Sequence, residues 1–130
     1  MAITLFKSAD IGSTMRCAIH LNGRLTFSFL TIRKLDLFNK WSIELGQDAS
    51  DLNNKNLYMW VYGFEKEGAF SINGSHPYCY LNTRELFESL KYDYKNRYIF
   101  FTIVEISTID GQKSFQLLYR ERKRTRFGSD

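Results

Sequence analysis

The chain has one proline, two cysteines and two histidines among 130 residues, and each scarcity removes a class of explanation. Cys17 and Cys79 stand far apart with no CxxC pair, so no disulfide framework or Cys-based metal centre organises the chain. A reduced cytoplasmic pair is the expectation, with a single structural disulfide left open. His20 and His76 lack HxxxH spacing and make too sparse a ligand set for a metal. Neither has a Ser, Cys or carboxylate at a recognisable motif spacing, and there is no Gly-rich phosphate loop. No catalytic residue, no metal and no cofactor are therefore expected, and the chain is not read as an enzyme. No apolar run approaches the roughly 20 residues of a membrane helix. The opening MAITLFKSADIGST lacks a basic region followed by an unbroken apolar stretch, so no signal peptide is expected.

Aromatics are plentiful, with 11 Phe, 8 Tyr and 2 Trp, and Tyr and Phe with β-branched residues favour pleated surfaces. A chain of this length can bury a core without staples and is expected to form one domain. The formal charge is +4, but its placement matters more. Residues 120–130 hold Arg120, Arg122, Lys123, Arg124 and Arg126 against Glu121 and Asp130, so most of the excess lies at the end.

Two segments match closely, Ala18–Gly23 (AIHLNG) and Ala69–Gly74 (AFSING). Each has strand character and ends in Asn-Gly, which supplies the positive φ of a tight turn. A second strand follows in each case (24–27 and 78–81), the second after about four extra residues. Helices come next. Ser28 is a candidate N-cap before Phe29, Ile32, Leu35 and Phe38, and Asn82 or Thr83 before Leu86, Phe87 and Leu90. Hairpins close each unit, 41–45 with 57–64 and 98–106 with 114–119, the latter around Asp110-Gly111. The order ββαββ occurs twice. The expected fold is α+β but mostly β, two tandem ββαββ units packed as an intrachain pseudo-dimer, giving a barrel-like antiparallel sheet with two short helices. The expected divisions are an N-terminal arm (1–13, with a candidate strand at 3–6), repeats at 14–64 and 65–122, and a basic tail at 123–130.

Gly23-Arg24-Leu25-Thr26-Phe27-Ser28, then Arg33, Leu35, Leu37 and Ile43 to Leu45, resemble the AbrB/SpoVT/MraZ swapped-hairpin superfamily over residues 14–122. Ser28 stands at that family's helix-start proline, Asp36 replaces its glycine, and the second unit has Gly74-Ser75 in place of Gly-Arg. The resemblance implies two units exchanging hairpins in one barrel-like, DNA-binding body. A second resemblance is to the Whirly and positive-cofactor single-strand DNA-binding families. It rests on four strands before the helix at Thr83 and on the segment 80–90, and implies an aromatic, basic sheet face holding an extended strand.

Lysine and arginine neutralise phosphates and release counterions, and arginine's planar fork suits phosphate geometry. Arg120, Arg122, Lys123, Arg124 and Arg126 are therefore candidate nucleic-acid contacts, the competing reading being a solvated terminus. Arg16, Arg24, Arg33 and Lys34 form a looser candidate set, because 15–35 contains no acid. Tyr58, Trp60 and Tyr62 alternate on one strand and are candidate stacking residues, or else part of an aromatic barrel wall. The expected function is DNA binding, with transcriptional regulation as its role. Double-stranded DNA is favoured and single-stranded DNA remains open, as does self-association. No membrane partner is expected. The rival reading is a protein–protein interaction or structural module with exposed aromatics.

Overall fold

The computed structural model describes residues 2–3, 14–109 and 111–124. Within them lie eight strands: β1 (Met15–Ile19), β2 (Leu25–Phe27), β3 (Ser42–Gly46), β4 (Leu57–Tyr62), β5 (Phe70–Ser71), β6 (Tyr80–Leu81), β7 (Arg97–Ile109) and β8 (Gln112–Lys123). Helix α1 (Phe29–Lys34) follows β2 and α2 (Arg84–Ser89) follows β6, with a 3-10 turn at Leu37–Asn39. The strands form one antiparallel sheet in the order β5-β3-β4-β8-β7-β1-β2-β6. Just past β5, Asn73 exchanges backbone hydrogen bonds of 2.9 and 3.0 Å with Tyr80 of β6. The two edges meet there, and the sheet is a nearly closed barrel. The chain is mostly β with two short helices, the fold class its residue pattern predicts.

The connectivity is symmetric. Exchanging β1–β4 for β5–β8 preserves the pairings except that the β1–β2 ladder has only the Asn73–Tyr80 bridge as its counterpart: β1 pairs with β7 and β5 with β3, while β2 pairs with β6 and β4 with β8. The helices correspond as well. Each has six residues, ends at a leucine (Leu35, Leu90) and leads into a left-handed residue, Asp36 (φ 52) or Lys91 (φ 60). A buried Leu37 or Tyr92 comes next. In sequence the halves match closely only at 18–23 and 69–74, so the tandem-repeat expectation extends no further than this connectivity.

Alternation along the strands directs Cys17, Ile19, Ile43, Met59, Phe101 and Leu117 into the barrel, all 2% exposed or less. Each such side chain contributes about 1.5–3 kcal/mol by leaving water. Ile32 and Leu37 from one helical segment and Phe87 and Tyr92 from the other complete the core. Tyr92 stacks on Phe87 at 5.4 Å, and its hydroxyl donates to the Lys55 carbonyl at 2.7 Å. Burial pushes the Tyr92 pKa up to about 12. Cys17 and Cys79 are buried free thiols, which closes the disulfide alternative; burial raises both pKa values.

Local expectations meet the structure unevenly. Ser28 caps α1 as its position predicts, its Oγ accepting from the Thr31 amide at 3.3 Å. Thr83 occupies the N-cap of α2 but makes no cap bond. Its hydroxyl reaches the other half instead, accepting from the Leu25 amide and donating to the Gly23 carbonyl, each at 2.9 Å. Strand β8 runs on to Lys123, four residues past its expected end at Tyr119. The expected tail is thus corrected at its start. Lys123 belongs to a strand, while residues 125–130, with Arg126, lie outside the described residues, as do 4–13 of the expected arm.

Candidate nucleic-acid interface

The inward residues fix which side chains face out. With Cys17 and Ile19 inside, β1 presents Arg16 and Ala18 outward; with Leu25 and Phe27 inside, β2 presents Thr26. With Ile99, Phe101 and Ile103 inside, β7 presents Tyr98, Phe100 and Thr102. Paired residues share a face, so the ladders define an outer row across five strands: Tyr80, Thr26, Ala18, Phe100, Arg120. Beside it Tyr98 pairs with Arg122, and Arg16 with Thr102.

One extra residue sets Tyr98 and Phe100 opposite those arginines. At the β7–β8 turn Ile109 pairs with Gln112. Continued without interruption, that register would set Phe100 against Glu121 and Tyr98 against Lys123. Between Glu105 (paired with Phe115) and Ser107 (paired with Ser114), Ile106 is a bulge with no partner. Because side chains alternate with period two, a one-residue shift exchanges the faces of a strand. With Phe115 and Leu117 inside, β8 presents Arg120 and Arg122 outward and Glu121 and Lys123 on the other face, and the bulge brings Phe100 and Tyr98, in place of Phe101 and Ile99, opposite the two arginines. On that other face Arg97 and Glu121 form an ion pair at 3.6 Å.

Two of the candidate arginines, Arg122 and Arg24, lie against aromatic rings, while Arg120 donates to the Tyr119 carbonyl at 2.9 Å. Tyr98 and Phe100 stack at 5.4 Å, and the Arg122 guanidinium carbon stands 4.8 and 5.9 Å from their centroids. Arg24 lies 4.2 Å over the Tyr80 ring. Such contacts orient a guanidinium while leaving its charge uncancelled. None of Arg16, Arg24, Arg120 and Arg122 forms an ion pair with a described acid, in contrast to Arg84 with Glu88 and Arg97 with Glu121. Between β2, β1 and β7 the face dips into a recess of about 260 Å³ lined by Arg16, Ala18, Thr26, Ser28, Tyr98, Phe100 and Arg122, and by no carboxylate. Unopposed charge beside a concavity concentrates positive potential there.

Of the residues expected to bind nucleic acid, Arg16 and Arg122 line one recess and Arg120 lies beside Arg122 on β8, while Arg24 lines a separate recess with Arg84 and Glu85. Arg124 sits at the margin of the outer face, donating to the Tyr94 carbonyl at 3.2 and 2.9 Å with its guanidinium carbon 5.8 Å from the Tyr98 ring. Three further expectations are displaced. Arg33 projects from α1 with its guanidinium carbon 5.7 Å from the Phe29 ring. Lys34 lines a different cavity with Lys40 and Lys113, and Lys123 lies on the opposite face of β8. Tyr58, Trp60 and Tyr62 point outward from β4, but a carboxylate stands among them. Glu44 pairs with Trp60 in the ladder and accepts from the Tyr62 hydroxyl at 3.0 Å. Lys66 donates to Glu44 at 3.2 Å and to Tyr62 at 3.0 Å, and these bonds raise the Lys66 pKa. The aromatics beside the arginines are instead Tyr98, Phe100 and Tyr80. The signal for the first two was the alternation Tyr98-x-Phe100 facing Arg120-x-Arg122, which requires the bulge to be seen.

Among the described residues no cluster of three His, Cys, Asp or Glu side chains is placed to hold a metal ion, and no helix is long and apolar enough to cross a membrane. The face offers guanidinium donors, hydroxyls and aromatic rings, a set suited to a polyanion carrying planar groups. No family model matches the chain, and neither the curated proteins nor the solved structures contain a match.

Proposed function

We propose that the protein is a non-enzymatic DNA-binding protein that contacts phosphates with Arg16, Arg24, Arg120 and Arg122, and that its role is regulatory. The observation that carries this reading is the grouping of Arg16, Arg120 and Arg122, without an ion-pair partner among the described residues, on the β1–β7–β8 side of a barrel whose other cations include acid-paired Arg84, Arg97, Lys66 and Lys113. Four phosphate contacts release counterions and give a log Kd that rises with log salt at a slope of about 3 to 4. Fluorescence anisotropy of a labelled oligonucleotide, as duplex and as single strand, between low and physiological salt measures that slope. Absence of binding to both forms at low salt removes the reading.

A second reading has its own observation. Phe29 and Phe38 pack on His76 at 6.2 and 5.2 Å while remaining half exposed, and Trp41 and Tyr78 nearby in the chain are 63% and 74% exposed. Exposed aromatics of this kind suit a protein partner. Salt-insensitive or absent nucleic-acid binding, with association reported by these residues, is what that reading expects.

A further inference from the structure

The geometry points to single-stranded nucleic acid as the ligand of this face, with one unstacked base seated in the recess over Ala18 and Thr26. The inference rests on the nucleic-acid reading above and names the form of the ligand. Three features carry it. The floor is built from small side chains, Ala18 and Thr26, directly paired across β1 and β2, while both flanking positions in the same outer row are aromatic, Phe100 beyond Ala18 and Tyr80 beyond Thr26. The depression is therefore walled by rings on its β7 side, where Tyr98 and Phe100 line it, and opens over small side chains toward β2. Its volume, about 260 Å³, lies below the roughly 300 Å³ at which pockets for drug-sized ligands begin, and suits one planar ring system.

The lining supplies both parts of a nucleotide contact. Tyr98 and Phe100 form the wall on the β7 side, and Arg122 reaches their rings from β8, so a base entering from the β1–β2 side meets an aromatic surface backed by a cation. Arg16 stands at the same recess without a described acid partner, placed for the phosphate that follows the base. Bases in a duplex are stacked on their neighbours and their faces are closed to a protein ring; a single strand offers them. The recess thus adds to the phosphate contacts only when the strand is single. Thr26 and Ser28 contribute hydroxyls at the floor, although Thr26 already donates to the Ala18 carbonyl at 3.2 Å and Ser28 shares a 2.7 Å bond with Thr31. They set the polarity of the floor without selecting one base.

The test compares a labelled (dT)12 strand with a duplex of equal length by anisotropy at one fixed salt concentration. The single strand is expected to bind about tenfold more tightly, the effect of one stacked base. Ala18→Leu, which fills the floor without changing charge, is expected to remove that advantage, and Tyr98→Leu, which removes part of the wall, to reduce it similarly. Phe64→Leu, an exposed aromatic elsewhere on the barrel, leaves it unchanged. Circular dichroism melting confirms that each variant is folded, and one folded recess variant is enough to decide between the outcomes. Duplex binding as tight as (dT)12 binding, or an advantage that survives in every folded recess variant, overturns the single-strand assignment while leaving phosphate-driven binding in place. Loss of binding to both probes in the wild-type chain overturns that broader reading as well.

Discussion

Two faces of the barrel occupy equivalent places in its connectivity and carry opposite chemistry. Setting Ala18–Gly23 against Ala69–Gly74 and following the ladders places Ser42 against Tyr98, Glu44 against Phe100, Trp60 against Arg120 and Tyr62 against Arg122. Leu57 and Leu117, which correspond on this scheme, pair with each other in the β4–β8 ladder. Where one face pairs aromatics with arginines, the other pairs Glu44 with Trp60 and Ser42 with Tyr62. The second face is also closed over. Ser42 donates to the Phe64 carbonyl at 2.8 Å and accepts from the Lys66 amide at 3.1 Å, which holds the 63–66 loop down. A scaffold with symmetric connectivity need not bind symmetrically, because binding belongs to side chains and not to strand order.

The sharpest way to break this comparison is to reverse charge on each face in turn. Arg16→Glu with Arg122→Glu removes two phosphate contacts and replaces them with repulsion. DNA affinity is expected to fall about 100-fold, or about 2.7 kcal/mol, and the salt slope to drop by about two. Tyr62→Glu, at the position corresponding to Arg122, is expected to change affinity less than twofold. Anisotropy titrations at two salt concentrations measure both. Comparable losses on the two faces would mean that DNA wraps the barrel and that the asymmetry is not functional.

Two buried threonine hydroxyls bridge backbone segments, one between the halves and one within the first half. Thr83 joins the start of α2 to Leu25 and Gly23, and its side chain is wholly buried. Thr31 of α1, buried as completely, accepts from the Arg16 amide at 2.9 Å and donates to the Arg16 carbonyl at 3.1 Å, but Arg16 itself is exposed. Valine keeps the shape and removes the hydroxyl. Thr83→Val leaves a buried amide and carbonyl unpaired and is expected to cost about 2 kcal/mol, against about 1 kcal/mol for Thr31→Val. Urea unfolding, with m unchanged, gives both values. Equal costs would show that the contact between halves is no more tightly sealed than the contact within one.

These differences mark where the residue pattern stops being informative. Apolar alternation, Asn-Gly, Asp-Gly and the Ser28 cap are local signals, and they located both helices, every hairpin and the barrel class. Thr83 looks like a cap because capping is local, yet its hydroxyl is spent 58 residues away. Arg120 to Lys123 look like a solvated tail because β8 there runs past the core, where both of its faces meet solvent and no apolar period survives. Which β7 residues lie opposite Arg120 and Arg122 depends on a single bulge at Ile106, and composition does not record it. Tyr58, Trp60 and Tyr62 suggest a stacking platform until Glu44 and Lys66 arrive from other elements. The interface arginines were legible as basic residues, but the grouping of Arg16 with Arg120 and Arg122 was not, since it needs β1, β7 and β8 in register.

The smallest contrast lies in the residues that follow the two helices. Asp36 and Lys91 both have positive φ, 52 and 60, at corresponding places where the chain leaves a helix. L-residues with a Cβ adopt this conformation at a cost, aspartate less than most because its short polar side chain bonds locally. Asp36 does so, its Oδ1 accepting from Asn39 Nδ2 at 2.8 Å. No corresponding bond from the Lys91 side chain to a described residue offsets its backbone. Lys91→Gly is expected to raise stability by about 1 kcal/mol, a rise in Tm of about 3–5 °C for a domain of this size. Asp36→Gly gains the same backbone freedom but loses the bond to Asn39, so it is expected to leave Tm within about 1 °C of the parent. Melting curves of the two variants decide the matter. Equal gains would mean that the Asp36–Asn39 bond contributes nothing and that the two helix exits are energetically alike, as their backbones are; a gain at Lys91 alone would show the halves tuned apart even where the chain follows the same path.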